Sequence, residues 1–178
     1  MITLDDSIRS RIREHGLRAY PNEACGVLLG RLPGDATSAT RAVTRDLPLE
    51  NSREAGEQYH RFVITPQDYL RAEKRADELG LDIVGFYHSH PDHPAVPSEY
   101  DRDHAFPGLS YIVTSVVGKG LESPHVERNL SWTLALDRSE FLFEADLDED
   151  RQPAAGSNPP GPTASSSTPL STTSSNKE

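Results

Sequence analysis

A chain of 178 residues with 28 acidic and 18 basic side chains carries a formal charge of −10 and has the length of one domain. The charge divides into −11 over residues 1–150 and +1 over 151–178, which argues against non-specific nucleic-acid binding, a mode that needs clustered Lys and Arg to displace counterions. No apolar run approaches the about 20 residues of a membrane-crossing helix. The acidic start Met1-Ile2-Thr3-Leu4-Asp5-Asp6 has no signal-peptide core behind it, and the single cysteine, Cys25, excludes an internal disulfide framework. A soluble cytoplasmic protein is the simplest reading.

In chain order, Thr3 with Asp6 three residues on resembles a helix start, and Leu4, Ile8 and Ile12 put an apolar face on a helix over about 4–19 that Pro21 stops. Cys25-Gly-Val-Leu-Leu-Gly30 reads as a buried strand, Pro33-Gly34-Asp35 as a hairpin turn, and 41–47 as the returning strand. The polar stretch 48–60 is a long loop, followed by a strand at Arg61–Ile64. Thr65-Pro66-Gln67-Asp68 then opens a second helix ending near Leu79, with Gly80 as its stop. Its basic stripe, Arg71, Lys74 and Arg75, is a solvated face or, less simply, a docking site for an acidic partner.

Ile83–Tyr87 is the clearest strand. The segment His88–Asp101, with three prolines, is expected to be irregular, and Ser110–Val117 and Trp132–Leu136 complete the strands. Five acids within 144–150 (Glu144, Asp146, Asp148, Glu149, Asp150) read as a solvated exit from the fold. From Pro153 to Asn176 only Leu170 is a large apolar residue, too little burial to offset the entropy of ordering, so 151–178 is expected to be a disordered Ser/Thr/Pro-rich tail behind a domain at 1–150. Strands outnumber helices and alternate with them, which predicts an α/β fold: a mixed central sheet flanked by helices.

One segment carries chemistry: His88-Ser-His90-Pro-Asp-His-Pro-Ala-Val-Pro-Ser98-Glu-Tyr-Asp101. Two residues apart at the end of a strand, His88 and His90 leave the same face, and a proline-stiffened loop can bring Asp101 back to them. Two imidazoles and a carboxylate form a three-ligand set that leaves the fourth position of a zinc site open, the arrangement of catalytic rather than structural zinc. A lone His-x-His is most often a pair of ordinary histidines. The whole spacing is far more specific.

His88, His90, Ser98 and Asp101, with Pro97 before the serine, resemble the JAMM (MPN+) metallopeptidase motif. The block Pro21-Asn-Glu23-Ala-Cys-Gly-Val-Leu-Leu-Gly30 is similar to the upstream block of the small bacterial members that process sulfur-carrier proteins (the Mec-like peptidases). The resemblance spans roughly residues 4–137 and implies a single MPN/JAMM domain of the cytidine-deaminase-like fold. It implies His88, His90 and Asp101 as ligands of one Zn²⁺ per chain, Glu23 as general base and Ser98 as oxyanion donor. Ser98 also fits as an N-cap for a short helix beginning after it. His93 and His104 read as exposed loop histidines. Cys25 is a small buried core residue or, if it shares a strand face with Glu23, a redox-sensitive thiol.

The implied reaction is hydrolysis of a peptide or isopeptide bond after the C-terminal Gly-Gly of a ubiquitin-like sulfur-carrier protein or its conjugates, with no nucleic-acid or membrane partner. The extended carrier tail is expected along a strand edge, with Asn51 and Arg53 of the 48–60 loop as candidates for the groove. Two alternatives come from other classes: a metal-dependent hydrolase of small peptides, and a metal-free MPN interaction scaffold, against which the intact ligand set speaks. A DNA-repair role fits poorly with the acidic charge.

Overall fold

The computed structural model describes residues 1–32, 40–51 and 62–148; the expected 33–39 turn, most of the 48–60 loop with Arg53, and the 151–178 tail lie outside the described residues. In chain order the elements are β1 (Ile2–Leu4), α1 (Asp6–Ala19), β2 (Cys25–Arg31), β3 (Arg41–Leu49), α2 (Pro66–Leu79), β4 (Asp82–Pro91), α3 (Glu99–His104), β5 (Ser110–Val117), β6 (His125–Leu134) and β7 (Phe141–Asp146). The described strands form one seven-stranded sheet in the order β1-β3-β2-β4-β5-β6-β7. The β1–β3 and β4–β5 pairs are parallel and the rest antiparallel, so the expected mixed sheet with flanking helices is present.

Each face of the sheet buries its own core. Ile8 and Ile12 of α1 pack on Leu28, Val43, Val84, Tyr87 and Ile112, whereas Ala72 and Ala76 of α2 pack on Val27, Leu29, Phe86 and Tyr111 on the other side. Alternation along β2 supplies both cores at once, as expected of a central strand covered on both faces. The register between β2 and β4 shifts at Leu28/Leu29, where Leu28 pairs with Gly85 and Leu29 with Ile83, leaving Val84 as a bulge. Beyond that bulge Phe86, His88 and His90 share the α2/α3 face, while Tyr87 and Ser89 turn towards α1. Gly26 is required opposite Tyr87, because a β-carbon there would lie 2.3 Å from its ring.

The structure corrects several expectations. Thr3 belongs to β1, and the N-cap of α1 is Asp5 instead, whose side chain makes no capping bond. Residues 62–65 are not a strand; Phe62 packs through its side chain instead, its ring stacked on His88 of β4. The segment expected to be irregular keeps β4 extended through Pro91, since the ladder to β5 pairs His88 with Val113 and His90 with Ser115, and proline at the last position costs no needed N–H. Strand β6 starts at His125, earlier than the pattern indicated, and β1 and β7 carry no period long enough to read.

Two acids of the expected solvated exit are built into the fold instead. Glu144 in β7, its side chain 3 % exposed, accepts from Arg41 Nη1 at 3.0 Å and from the Ser131 hydroxyl at 2.9 Å, and Asp148 pairs with Arg13. Helix α2 follows its signals closely. Thr65 and Asp68 form a reciprocal capping box, and Gly80 closes the helix at φ 63°. No helix among the described residues is long and apolar enough to cross a membrane.

Candidate active site

The site lies at the carboxyl end of β4, on the face of α2 and α3. The ladder holds His88 between Cys25 of β2 and Val113 of β5 and holds His90 against Ser115 of β5, and Asp101 is brought back by α3. Ser98 is the N-cap of that helix: its hydroxyl accepts from the Asp101 N–H at 3.2 Å, and Asp101 Oδ2 accepts from the Ser98 N–H at 2.6 Å and hydroxyl at 2.7 Å. The capping box therefore sets where the Asp101 carboxylate points. Ser98 is thus the N-cap that its position before a short helix led us to expect, and the same cap turns the serine hydroxyl towards the Asp101 carboxylate.

The Nε2 atoms of His88 and His90 are 3.0 Å apart. Asp101 Oδ1 lies 3.5 Å from His88 Nε2, and Oδ2 lies 3.7 Å from His90 Nε2. The three side chains are nearly sealed from solvent, at 2 %, 11 % and 8 % exposed. His90 Nδ1 is 2.9 Å from the Pro94 carbonyl, which can only accept, so Nδ1 carries the proton and Nε2 presents its lone pair to the site. The Phe62 ring stacks on His88 with centroids 4.8 Å apart and fixes its plane.

Zinc at bonds of about 2.0–2.1 Å in a tetrahedron separates its ligand atoms by about 3.3 Å. The observed spacings bracket that value, and the atoms of all three groups lie within 4.8 Å of one another. The donor set and its spacing fit a zinc ion.

Glu23, in the turn between α1 and β2, is 6 % exposed and lines a cavity of about 380 Å³ together with His90, Ser98, Asp101, Phe62 and Tyr100. Burial pushes its carboxyl up to about 8, with His90 drawing it down and Asp101 raising it. The Asp101 carboxyl is held far below the usual carboxylate range: burial alone would raise it, but the charge and hydrogen bonds of the two histidines and Ser98 outweigh that effect. A second cavity of about 520 Å³, walled by Tyr69, Phe86, Phe106 and Tyr111, meets the first at Phe62, Tyr100 and Asp101.

The remaining candidates separate cleanly. His93 and His104 are exposed, and His104 stacks on Tyr100 with centroids 4.1 Å apart. Cys25 is fully buried and its thiol is pushed up to about 12 by burial, Asp68 and Glu23. On α2, Arg71 pairs with Asp68 and Arg75 with Glu78. Asn51 donates from Nδ2 to the Glu23 carbonyl at 3.2 Å. Sequence reasoning missed Phe62 and the Pro94 carbonyl, because an aromatic stack and a backbone acceptor leave no pattern in residue types.

Comparison with known proteins agrees with this architecture. The chain is 37 % identical over 115 residues to the desampylase of Haloferax volcanii, covering 64 % of this chain and 77 % of that protein. It is 32 % identical over 106 residues to a probable TtuB-protein conjugate cleaving protease of Thermus thermophilus, covering 60 % and 64 %. A solution structure of a Desulfitobacterium hafniense protein superposes with a TM-score of 0.64 at 34 % identity, covering 81 % of this chain and 90 % of that one. The model for prokaryotic homologues of the JAB domain matches residues 5–134, a span that runs from α1 to the end of β6 and holds Glu23 and the whole His88–Asp101 segment. With most of its length matched and the end of β4 inside the match, the chain belongs to the prokaryotic JAB family.

Proposed function

We propose that this chain is a zinc-dependent metallopeptidase that hydrolyses the peptide or isopeptide bond after the C-terminal Gly-Gly of a ubiquitin-like sulfur-carrier protein. The observation that carries the reading is the convergence of His88, His90 and Asp101 at zinc-ligand spacing beside a buried carboxyl, Glu23, on one cavity. Relatives named as a desampylase and a conjugate-cleaving protease support the substrate class. A cytoplasmic setting belongs to the same reading, since one buried cysteine offers no disulfide framework.

In this reading His88 Nε2, His90 Nε2 and an Asp101 oxygen hold the ion. Zinc bound there supplies Lewis acidity, lowering the pKa of water and polarising a carbonyl. Glu23 takes a proton from the attacking water and delivers it to the leaving amine, a role suited to a carboxyl whose proton affinity burial has brought near neutrality. A cation held by the triad favours the ionised, accepting form. The Ser98 hydroxyl, now donated to Asp101 Oδ2, rotates to meet the oxyanion of the tetrahedral intermediate. The two cavities that meet at Phe62, Tyr100 and Asp101 hold the chain on either side of the scissile bond.

Zinc stoichiometry of the purified protein, beside Asp101→Ala and Glu23→Gln, tests the reading. About one zinc per chain is expected in the wild type and in Glu23→Gln, with most lost from Asp101→Ala. Intact-mass analysis of a sulfur carrier extended beyond its Gly-Gly should show cleavage by the wild type alone. No zinc even after soaking would favour the interaction scaffold, and cleavage of short unrelated peptides in preference to the carrier would favour the small-peptide hydrolase.

A further inference from the structure

The residue between the two histidines faces away from them and makes contacts of its own. Ser89 is 1 % exposed and lies against α1, where a β-carbon on Gly16 would come within 3.3 Å of its own. Its N–H donates to the Ala24 carbonyl at 3.0 Å, continuing the β2–β4 ladder one pair beyond Cys25 and His88. The return bond of that pair is different. The Ala24 N–H donates at 2.8 Å to the Ser89 hydroxyl, which takes the place of the backbone carbonyl. Ala24 is 3 % exposed, so without the hydroxyl its N–H would be left buried with no partner, an arrangement native folds rarely tolerate.

The residue so held immediately follows Glu23. The other end of the turn is tied to the same strand: Asp92, just past β4 at φ 54°, accepts from the Tyr20 hydroxyl at 2.9 Å and from the Gly118 and Lys119 N–H groups at 2.9 and 2.8 Å. Residues 20–24 are thus clamped to the strand that carries both imidazoles.

We propose that Ser89 is a positioning residue for Glu23: its hydroxyl, by capturing the Ala24 N–H, sets the distance between the Glu23 carboxyl and the His88–His90 pair. The proposal rests on the reading of Glu23 as the base. Proton transfer is sensitive to placement, and a shift of about 1 Å can cost about 10²-fold in rate. Because the tether touches neither substrate nor the imidazole nitrogens, its loss lowers kcat while sparing metal and substrate binding.

The test uses the full chain as Ser89→Ala, Ser89→Thr, Glu23→Gln and the Ser89→Ala/Glu23→Gln pair. Ser89→Ala is expected to keep about one zinc per chain and to lose about 10- to 100-fold in kcat, with KM changed by less than about 3-fold. Ser89→Thr, which keeps the hydroxyl, is expected to recover most of that loss. On the Glu23→Gln background Ser89→Ala should cost nothing further, since a residue acting only through Glu23 has nothing left to position. Amide exchange gives a readout independent of turnover: the Ala24 N–H should exchange faster in Ser89→Ala while Val27 and Leu28 stay protected. Unchanged Ala24 exchange, wild-type kcat, zinc loss in Ser89→Ala, or losses that add across the pair would each overturn the proposal. Wild-type turnover in Glu23→Gln alone would instead refute the base assignment; faster Ala24 exchange in Ser89→Ala would then mark Ser89 as a structural tether with no catalytic consequence.

Discussion

Cys25 stands at the first position of β2, two residues from Glu23 and opposite His88, yet its surroundings make it inert. It is fully buried, and its thiol is pushed up to about 12 by burial first and then by Asp68 and Glu23. Only about one thiol in 10⁴ is then ionised at pH 8, and the thiolate is the reactive form. The native protein is therefore expected to show no reaction with a thiol-exchange reagent at pH 8, and one thiol per chain after denaturation. Rapid labelling of the folded protein would restore the redox reading. His88 is held at its backbone, at one ring face and at Nε2. The ladder fixes its backbone, Phe62 fixes its plane, and Nε2 faces His90.

Helix α2 is the element whose stability is easiest to test. Its first turn is locked by Asp68, which accepts from the Thr65 N–H at 3.0 Å and hydroxyl at 2.6 Å. The Thr65 hydroxyl is the main cause that holds the Asp68 carboxyl below the usual carboxylate range, against the opposing effect of burial. Asp68→Ala is expected to lose about 1–2 kcal/mol at neutral pH, measured by urea unfolding. The sign of the pH dependence follows from a depressed folded pKa. The contribution is fully present above the unfolded value of about 3.9 and is lost as pH falls through the lower folded value, so the gap between wild type and variant should be flat above about pH 5 and close below about pH 4. A gap that widened in acid would contradict the cap. Helix α3 repeats the device in six residues, but there the capping box aims the Asp101 carboxylate towards His88 and His90.

At the scale of the molecule, side chains join strands that stand far apart in the sheet order. Arg41 of β3 reaches across to Glu144 of β7, four strands beyond its neighbour β2 in the sheet order, and also donates from Nε to the Gly108 carbonyl at 2.9 Å. Both partners are largely buried, with side chains 16 % and 3 % exposed. Removing one partner strands the other charge away from water, a loss of about 3–5 kcal/mol for a buried pair. Glu144→Ala is expected to destabilise by about 3 kcal/mol in chemical denaturation, with zinc stoichiometry at the opposite end of the sheet preserved in the protein that remains folded. A loss below about 1 kcal/mol would place the pair among the solvated ones.

Sequence by itself determined what depends on neighbours along the chain. The caps of α2, the alternation and apolar runs of β2, β4 and β5, and the spacing of His88, His90, Ser98 and Asp101 are local patterns, readable because hydrogen-bonding periods and turn chemistry act over a few residues. Tertiary structure decided what depends on partners distant in the chain. It made β1 and β7 strands by giving them β3 and β6 to pair with, and it set the Phe62 ring on His88 instead of pairing its backbone into the sheet. It turned Glu144 from a solvated acid into a buried partner of Arg41, and it set Ser89 against Ala24 across 65 residues of chain. Burial and pairing are properties of the folded surface, and a pattern of residue types carries them only where a local period already implies the neighbour.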